Sequence, residues 1–201
     1  MEELLCSYCL NELPLTHFHK YDDKTVLNKF YGLLPVHQAS AKLYFIKKGI
    51  SQKILHKLKY EGQQNIGTYF GDWLGSELNQ LASYTDVEVV VPVPLHKKRL
   101  RSRGYNQVTN FAQQIAEHLQ AHYCEESLIK ISHASSQVGL GRWSRFRSKE
   151  VFQLGNPTTV QNKHVLLVDD LITTGATLIS CGKELLKAPV SKLSIVTLAM
   201  T

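Results

Sequence analysis

The 201-residue sequence contains no long hydrophobic run, and this absence limits where the protein can act. A membrane-spanning helix needs about 20 consecutive, mostly apolar residues, and no apolar stretch here reaches that length. The start, Met1-Glu2-Glu3, also lacks the basic and then apolar character of a secretory signal. We therefore expect a cytoplasmic protein with no membrane insertion.

Cysteine is also scarce. The sequence has four cysteines, and only Cys6 and Cys9 form a Cys-x-x-Cys pair. This number and spacing do not indicate a disulfide framework. Two intervening residues let both thiolates reach one Zn²⁺, but a closed tetrahedral site needs four ligands. His17 and His19 are the nearest further candidates, so the pair is either half of a zinc site or part of a reduced N-terminal segment.

The composition is that of a globular protein with an excess of positive charge. Hydrophobic residues make up 43% of the chain and charged residues 20%, which suits one domain of good size with a small appendage. There are 23 Lys and Arg residues against 17 Asp and Glu residues, so the net charge is +6. This excess favours anionic partners, but it does not choose between a pyrophosphate ester and a nucleic acid.

The most informative stretch is VLLVDDLITTGAT, at residues 165–177. Its four leading apolar residues predict a short strand buried on both faces, and two carboxylates, Asp169 and Asp170, follow at once. A turn of small residues comes next, before a helical pattern at residues 178–187. That turn contains Thr173, Thr174, Gly175, Ala176 and Thr177.

This order of strand, acid pair, small-residue turn and helix suits a phosphorylated sugar. The free N–H groups and positive dipole end at a helix start attract a phosphate, and small side chains let it approach. Carboxylates bind phosphate poorly but accept hydrogen bonds from vicinal sugar hydroxyls. One alternative is that the acids merely close a strand in an ordinary doubly wound domain. Another is a P-loop nucleotidase, but the GxxxxGK[ST] loop that it needs is missing.

A basic stretch follows a second predicted buried strand, VEVVVPVPL, at residues 87–95. Five of the seven residues at 97–103 are basic, beginning with Lys97, Lys98 and Arg99. Ligands of open α/β sheets bind at the carboxyl ends of strands, so we expect a basic loop here that suits a pyrophosphate. The alternative is a solvated charged loop. Lys59, in a helix predicted at residues 50–60, could reach a phosphate or be one more exposed lysine.

The long polar segment at residues 133–149 is rich in Gly, Ser and Arg, which is typical of a mobile loop. It carries Arg142 and Arg145, which we expect to close over the site, meet the charge of a leaving pyrophosphate and exclude water. Strands and helices alternate along the rest of the chain, with helices predicted at residues 65–81 and 105–121 and strands at residues 128–131, 151–154 and 192–200. The sequence therefore predicts an α/β fold, with a mostly parallel sheet flanked by helices on both sides.

The stretch at residues 165–177 resembles the phosphoribosyl pyrophosphate (PRPP) signature of type I phosphoribosyltransferases. The resemblance implies the fold of those enzymes, with PRPP and Mg²⁺ as ligands. It also implies that Asp169 and Asp170 bind the ribose 2- and 3-hydroxyls, while the turn at residues 173–177 wraps the 5-phosphate.

Three further stretches are similar to the ComF family of bacterial competence proteins: HKLKYEGQQNIG at residues 56–67, VPVPLHKKRLRSRGYNQ at residues 91–107, and the region at residues 137–152. That family is linked to uptake of single-stranded DNA. Its N-terminal segment usually carries two zinc-binding Cys-x-x-Cys pairs, of which only Cys6 and Cys9 match here. We therefore predict an N-terminal segment at residues 1–31, with a decayed zinc module or one whose first pair lies upstream, and a phosphoribosyltransferase domain at residues 32–201.

Two functions remain open. The first is transfer of a 5-phosphoribosyl group from PRPP to an unknown acceptor with release of pyrophosphate, in which Asp169, Asp170, Arg142 and Arg145 act. The second is a single-stranded DNA-binding competence factor that works with the DNA-uptake machinery and reuses the phosphate site without transferase activity. Two carboxylates at the centre of the site suit a ribose and repel a DNA backbone, which favours the first.

Overall fold

The computed structural model describes residues 4–21, 23–131 and 151–201. Its strands are β1 (Ala39–Tyr44), β2 (Val89–Pro92), β3 (His122–Tyr123), β4 (Leu128–Ile131), β5 (Val151–Leu154), β6 (His164–Ile172) and β7 (Lys192–Met200). Its helices are α1 (Ser7–Asn11), α2 (Phe18–Tyr21), α3 (Thr25–Asn28), α4 (Ile50–Tyr60), α5 (Asn65–Leu78), α6 (Lys97–Arg103), α7 (Thr109–His118) and α8 (Ala176–Leu185). None of these helices is long and apolar enough to cross a membrane.

Five strands form a parallel sheet in the order β1-β7-β6-β2-β3, and β4 and β5 form a separate antiparallel pair. Alternate residues of β6 face opposite sides of the sheet. Leu166 and Val168 pack with α4, α5 and α7, while Val165 and Leu167 pack with α3, α8 and the β4–β5 pair. Burial on both faces explains why the central strands read as continuous apolar runs. The predicted α/β fold, a mostly parallel sheet flanked by helices, is confirmed.

The basic stretch at residues 97–103 is not the predicted loop but the short helix α6. His96 caps its start, because the His96 Nδ1 accepts a hydrogen bond of 3.1 Å from the Lys98 amide. Gly104 ends it in a left-handed conformation with φ +82°, which glycine adopts at no steric cost. The loop prediction was wrong because lysine and arginine are good helix formers, and two local caps decide where they fold.

The N-terminal segment packs against the sheet. Leu15 forms an antiparallel bridge with Leu43 of β1, and the Thr16 amide donates to the Lys42 carbonyl at 3.1 Å. Val26 and Phe30 are buried in the same hydrophobic cluster as α8. These contacts cover the outer edge of β1. The division of the chain at residue 31 stays a prediction.

Helices α5 and α7 pack unusually closely because three glycines lie along one face of α5. Gly67, Gly71 and Gly75 are spaced four residues apart, so they form a stripe that faces α7. A Cβ placed at Gly71 would lie 2.5 Å from the Phe111 carbonyl oxygen and 2.9 Å from the Gln114 Cβ. The helices can therefore pack at this distance only while the stripe has no side chains.

Replacing Gly71 with alanine should lower the free energy of unfolding by about 1–2 kcal/mol. Alanine is about 1 kcal/mol better than glycine within a helix, but overpacking typically costs about 1–3 kcal/mol, and here the contact is with backbone that cannot rotate away. Urea denaturation measures the change. The control is Ser76→Ala, an exposed position on the same helix. A Gly71→Ala protein that is more stable than the wild type would contradict the close packing.

Candidate functional site

The two acids of the motif lie within the last part of β6 and not after its end as the sequence predicted. The strand continues because Leu171 and Ile172 keep pairing with Ala199 and Met200 of β7. Asp169 and Asp170 are 8% and 6% exposed. Both acids are therefore held on rigid, nearly buried backbone at the carboxyl edge of the sheet, where ligands of α/β proteins bind.

The carboxylate of Asp169 is poorly compensated. Its Oδ1 accepts a hydrogen bond of 2.8 Å from the Asp170 amide. Burial, and then the neighbouring charge of Asp170, raise the pKa of Asp169 well above its ordinary value, although that hydrogen bond and the more distant Lys59 oppose the shift. A hydrogen-bond donor or a cation brought by a ligand would stabilise the charged form of Asp169.

Asp170 has a cation beside it. Lys59, in the last turn of α4, places its Nζ 2.9 Å from the Asp170 Oδ2. That oxygen is inaccessible to solvent, and no residue that the structure describes gives it a hydrogen bond of good alignment. Its charge is therefore balanced, while its capacity to accept a hydrogen bond is still unused.

The turn after β6 forms a small cradle at the start of α8. Gly175 adopts φ +80° as the N-cap residue, and the Ala176 amide lies 3.4 Å from the Thr174 Oγ1. From the N-terminal segment, Lys29 donates to the carbonyl of Thr173 at 3.0 Å and so supports the turn from behind. Asp169 and all five turn residues, Thr173 to Thr177, line a cavity of about 50 Å³. The arrangement has the backbone amides of a helix start and small side chains that an anion requires.

A basic cleft of about 450 Å³ adjoins the acid pair through Lys59. It is lined by Lys59, Tyr60, Gly62, Arg99, Ser102, Arg103 and Tyr105. The structure therefore brings together Lys59 and Arg99, two predicted ligands from distant parts of the chain. Lys97 and Lys98 lie on the same short helix as Arg99 but are exposed and do not line this cleft.

Sequence reasoning did not single out Arg103, Tyr60 or Lys29 as parts of this region, and it left Tyr105 open between orienting a ligand and starting a helix. The Arg103 guanidinium lies 5.3 Å from the centre of the Tyr60 ring, and the Tyr105 hydroxyl donates to the Leu58 carbonyl. The signal for Arg103 was its place in the basic stretch, and that for Tyr60 its position next to Lys59. No local pattern marks Lys29, because its partners lie near the other end of the chain.

The remaining predicted site residues are two arginines and two cysteines. Arg142 and Arg145 lie outside the described residues. Cys6 is exposed and Cys9 is partly exposed, and within residues 4–21, 23–131 and 151–201 no group of three or more His, Cys, Asp or Glu side chains could hold a metal ion. Zinc at Cys6 and Cys9 stays a prediction.

A second polar row lies near the amino-terminal edge of the sheet, but it is closed to substrates. His164 holds Asp86 on one side, at 2.7 Å from its Nδ1, and Ser194 on the other, at 2.8 Å from its Nε2. The order is that of a serine hydrolase triad. Ser194 is fully buried, so its hydroxyl cannot meet a substrate and the row supports the sheet.

The parallel sheet, the acid pair and the small-residue turn at the start of α8 form the α/β arrangement that the resemblance to type I phosphoribosyltransferases predicts. Several curated relatives carry names that refer to competence. The chain is 34% identical to "Competence protein F" of Haemophilus influenzae over 114 residues, which is 56% of this chain and 50% of that protein. It is 31% identical to "Competence protein ComFC" of Bacillus subtilis over 144 residues, or 68% of this chain and 53% of that protein.

A third homologue is "DNA utilization protein YhgH" of Escherichia coli K12, 28% identical over 138 residues, which is 67% of this chain and 60% of that protein. The resemblance to ComF proteins is thereby confirmed, although the chain spans only about half to three fifths of the length of these relatives. No protein-family model matches.

Among solved structures, a glutamine PRPP amidotransferase of B. subtilis is 18% identical, with a TM-score of 0.47, over 71% of this chain and 30% of that chain. That likeness is too low to bear on function.

Proposed function

We propose that this protein binds PRPP together with Mg²⁺ at the carboxyl edge of the sheet and transfers the 5-phosphoribosyl group to an acceptor, with release of pyrophosphate. The observation that carries the proposal is the nearly buried pair Asp169 and Asp170, held directly before a small-residue cradle at a helix start. Hydroxyl acceptors and a phosphate cradle in this order match the two ends of a ribose 5-phosphate.

Each part of the site has a task in this proposal. The turn at residues 173–177 binds the 5-phosphate through its amides and threonine hydroxyls. Asp169 and Asp170 accept hydrogen bonds from the ribose hydroxyls, and the unused capacity of the Asp170 Oδ2 fits such a donor. Hard carboxylate oxygens are also ligands that Mg²⁺ accepts, so Asp169 and Asp170 would hold the metal when PRPP binds.

Cleavage of the bond to pyrophosphate leaves positive charge on the sugar and negative charge on the leaving group. The acid pair lies on the sugar side and stabilises the positive charge, while Arg99 and Lys59 line the cleft that receives the pyrophosphate. Mg²⁺ bound with PRPP supplies further positive charge to the phosphate oxygens. Arg142 and Arg145, which lie outside the described residues, would add positive charge for the leaving pyrophosphate.

Calorimetric titration with PRPP in the presence of Mg²⁺ tests the proposal. We expect micromolar binding, on the order of 8 kcal/mol, that disappears in the double variant Asp169→Asn, Asp170→Asn. The matched control is Asp72→Asn on α5, whose carboxylate is largely exposed and pairs with His118. Failure of the wild type to bind PRPP would end the enzyme proposal, and binding would justify a screen of acceptors.

A second candidate, single-stranded DNA binding, has its own supporting observation. None of the residues of α6 is buried, and five of the seven are basic. Tyr60 beside them is 69% exposed, with the Arg103 guanidinium over its ring. Exposed aromatic rings next to cations suit stacked bases, and the names of the relatives refer to competence and DNA utilization.

The test of this candidate is oligonucleotide binding as a function of salt. DNA binding through α6 should weaken steeply as salt rises and should be reduced by Tyr60→Ala. It should not be weakened by the double Asp→Asn variant, because the two carboxylates repel a DNA backbone. Binding that depends on the two acids, or that does not respond to salt, would reject DNA binding at this surface.

A further inference from the structure

We propose that Lys59 is a resident counter-cation of the acid pair. Its ammonium neutralises Asp170 while the site has no ligand, keeps free Mg²⁺ from binding to the two carboxylates, and turns to the pyrophosphate when PRPP binds with its metal. This inference rests on the proposed function, because it assigns a second position of Lys59 to bound PRPP.

The charges at the site require a cation. Two consecutive residues carry carboxylates with little solvent around either, at 8% and 6% exposure. Uncompensated, such a pair is costly to bury and offers the oxygen ligands that Mg²⁺ prefers. Among the described residues, Lys59 provides the ion pair to this site, at 2.9 Å from the Asp170 Oδ2.

The ion pair is close but not locked. The Lys59 Nζ approaches the oxygen without the alignment of a hydrogen bond. A lysine ammonium is a compact charge on a flexible four-carbon chain, so it is held there mainly by charge attraction. A ribose hydroxyl can therefore take the Oδ2 of Asp170 by forming the hydrogen bond that Lys59 does not form.

The released ammonium has a position to occupy. The Lys59 side chain is 22% exposed and lines the same cleft as Arg99 and Arg103. Rotation about its side-chain bonds moves the ammonium from the acid pair towards an anion in that cleft while the backbone of α4 stays in place. The two acids still have a positive charge beside them after Lys59 leaves, because PRPP would bring Mg²⁺ with it.

The test compares Lys59→Met, Lys59→Arg and Lys57→Met by calorimetry. Lys57→Met is the matched control, since Lys57 lies on the same helix but pairs with Glu61 on the surface. The first titration uses MgCl₂ alone. We expect Lys59→Met to bind Mg²⁺ at least about tenfold more tightly than the wild type, the size of effect that a neighbouring opposite charge has on a carboxylate. Lys59→Arg and Lys57→Met should behave as the wild type does.

The second titration uses PRPP with Mg²⁺. Here Lys59→Met should bind about tenfold more weakly or worse, because a charge-assisted hydrogen bond to the pyrophosphate is lost. Opposite changes in the two titrations identify an exchanging cation. Weaker PRPP binding with unchanged Mg²⁺ binding would overturn the proposal, because Lys59 would then be a static phosphate ligand. No change in either titration would also overturn it, because Lys59 would contribute to neither binding reaction.

The outcome is separable from that of the proposed function. Tighter Mg²⁺ binding by Lys59→Met is measured without PRPP, so it reports on the counter-cation alone. Absence of PRPP binding by the wild type would reject the phosphoribosyltransferase proposal, and with it the second position of Lys59.

Discussion

Replacing Glu77 with alanine should lower the free energy of unfolding by about 3–5 kcal/mol, the typical cost of leaving a buried charge without its partner. Lys42 of β1 is 1% exposed, and its ammonium lies 2.5 Å from the Glu77 Oε2 and 3.7 Å from the centre of the Trp73 ring. Burial lowers the pKa of Lys42, and Glu77 offsets only part of that shift. Without Glu77 this side chain either stays charged in the core or loses its proton.

The carboxylate of Glu77 also joins the N-terminal segment to the domain. It accepts hydrogen bonds from His19 at 2.9 Å and Trp73 at 3.1 Å, and Lys20 lies 2.7 Å away. Burial opposes its charge, but the bonds from His19, Lys20 and Lys42 outweigh burial and hold the pKa of Glu77 far below its ordinary value. A lowered carboxyl pKa means that this stability is present above the ordinary pKa and is lost as pH falls.

Urea denaturation of a double-mutant cycle measures the Glu77 effect. The variants are Glu77→Ala, Lys42→Met and the two combined, with Glu61→Ala as an exposed control. The combined variant should be more stable than Glu77→Ala alone, because removal of the ammonium removes the orphaned charge. Glu61→Ala should leave stability almost unchanged. If Glu77→Ala were as mild as Glu61→Ala, the pair with Lys42 would not be a significant contributor to stability.

Replacing Asp169 with asparagine should move stability and PRPP binding in opposite directions. At neutral pH we expect the free energy of unfolding to rise by about 1–3 kcal/mol, because the change removes a buried charge with few donors. Asparagine keeps the oxygen that accepts from the Asp170 amide. We expect PRPP affinity to fall about 10- to 100-fold, because hydrogen bonds from the ribose hydroxyls to a charged acceptor are lost.

The stability gain from Asp169→Asn should depend on pH. The pKa of Asp169 is raised in the folded protein, so the folded state holds its proton more tightly than the unfolded chain does. That contribution is fully present below the ordinary carboxyl pKa and is lost as pH rises through the raised value. The gain in the free energy of unfolding over the wild type should therefore be small at acidic pH and full at pH 8. Denaturation at both pH values measures it. Asp72→Asn should show no such trend, and equal stability of Asp169→Asn and wild type at pH 8 would contradict the charge argument.

Local sequence pattern was sufficient for much of the fold. Helix α4 and strands β4, β5 and β7 begin and end where the sequence predicted, because each carries its own apolar period and is bounded by turn residues. Helices α5 and α7 are shorter than predicted at one or both ends. The ends of helices depend on capping residues and on contacts with neighbouring elements, and the spacing of apolar residues does not predict either.

The sequence by itself determined the α/β class of the fold and the core of the candidate site. Asp169, Asp170 and the turn at residues 173–177 lie in one short stretch, and their order alone places two acids before a small-residue turn at a helix start. Tertiary structure decided what surrounds them. Lys59 meets Asp170 only because α4 packs on the face of the sheet to which that acid points. Lys42 meets Glu77 only because β1 lies beneath α5. No local sequence pattern predicts an ion pair between residues that are far apart in the chain, because such a pair forms only when the helices and strands pack against one another.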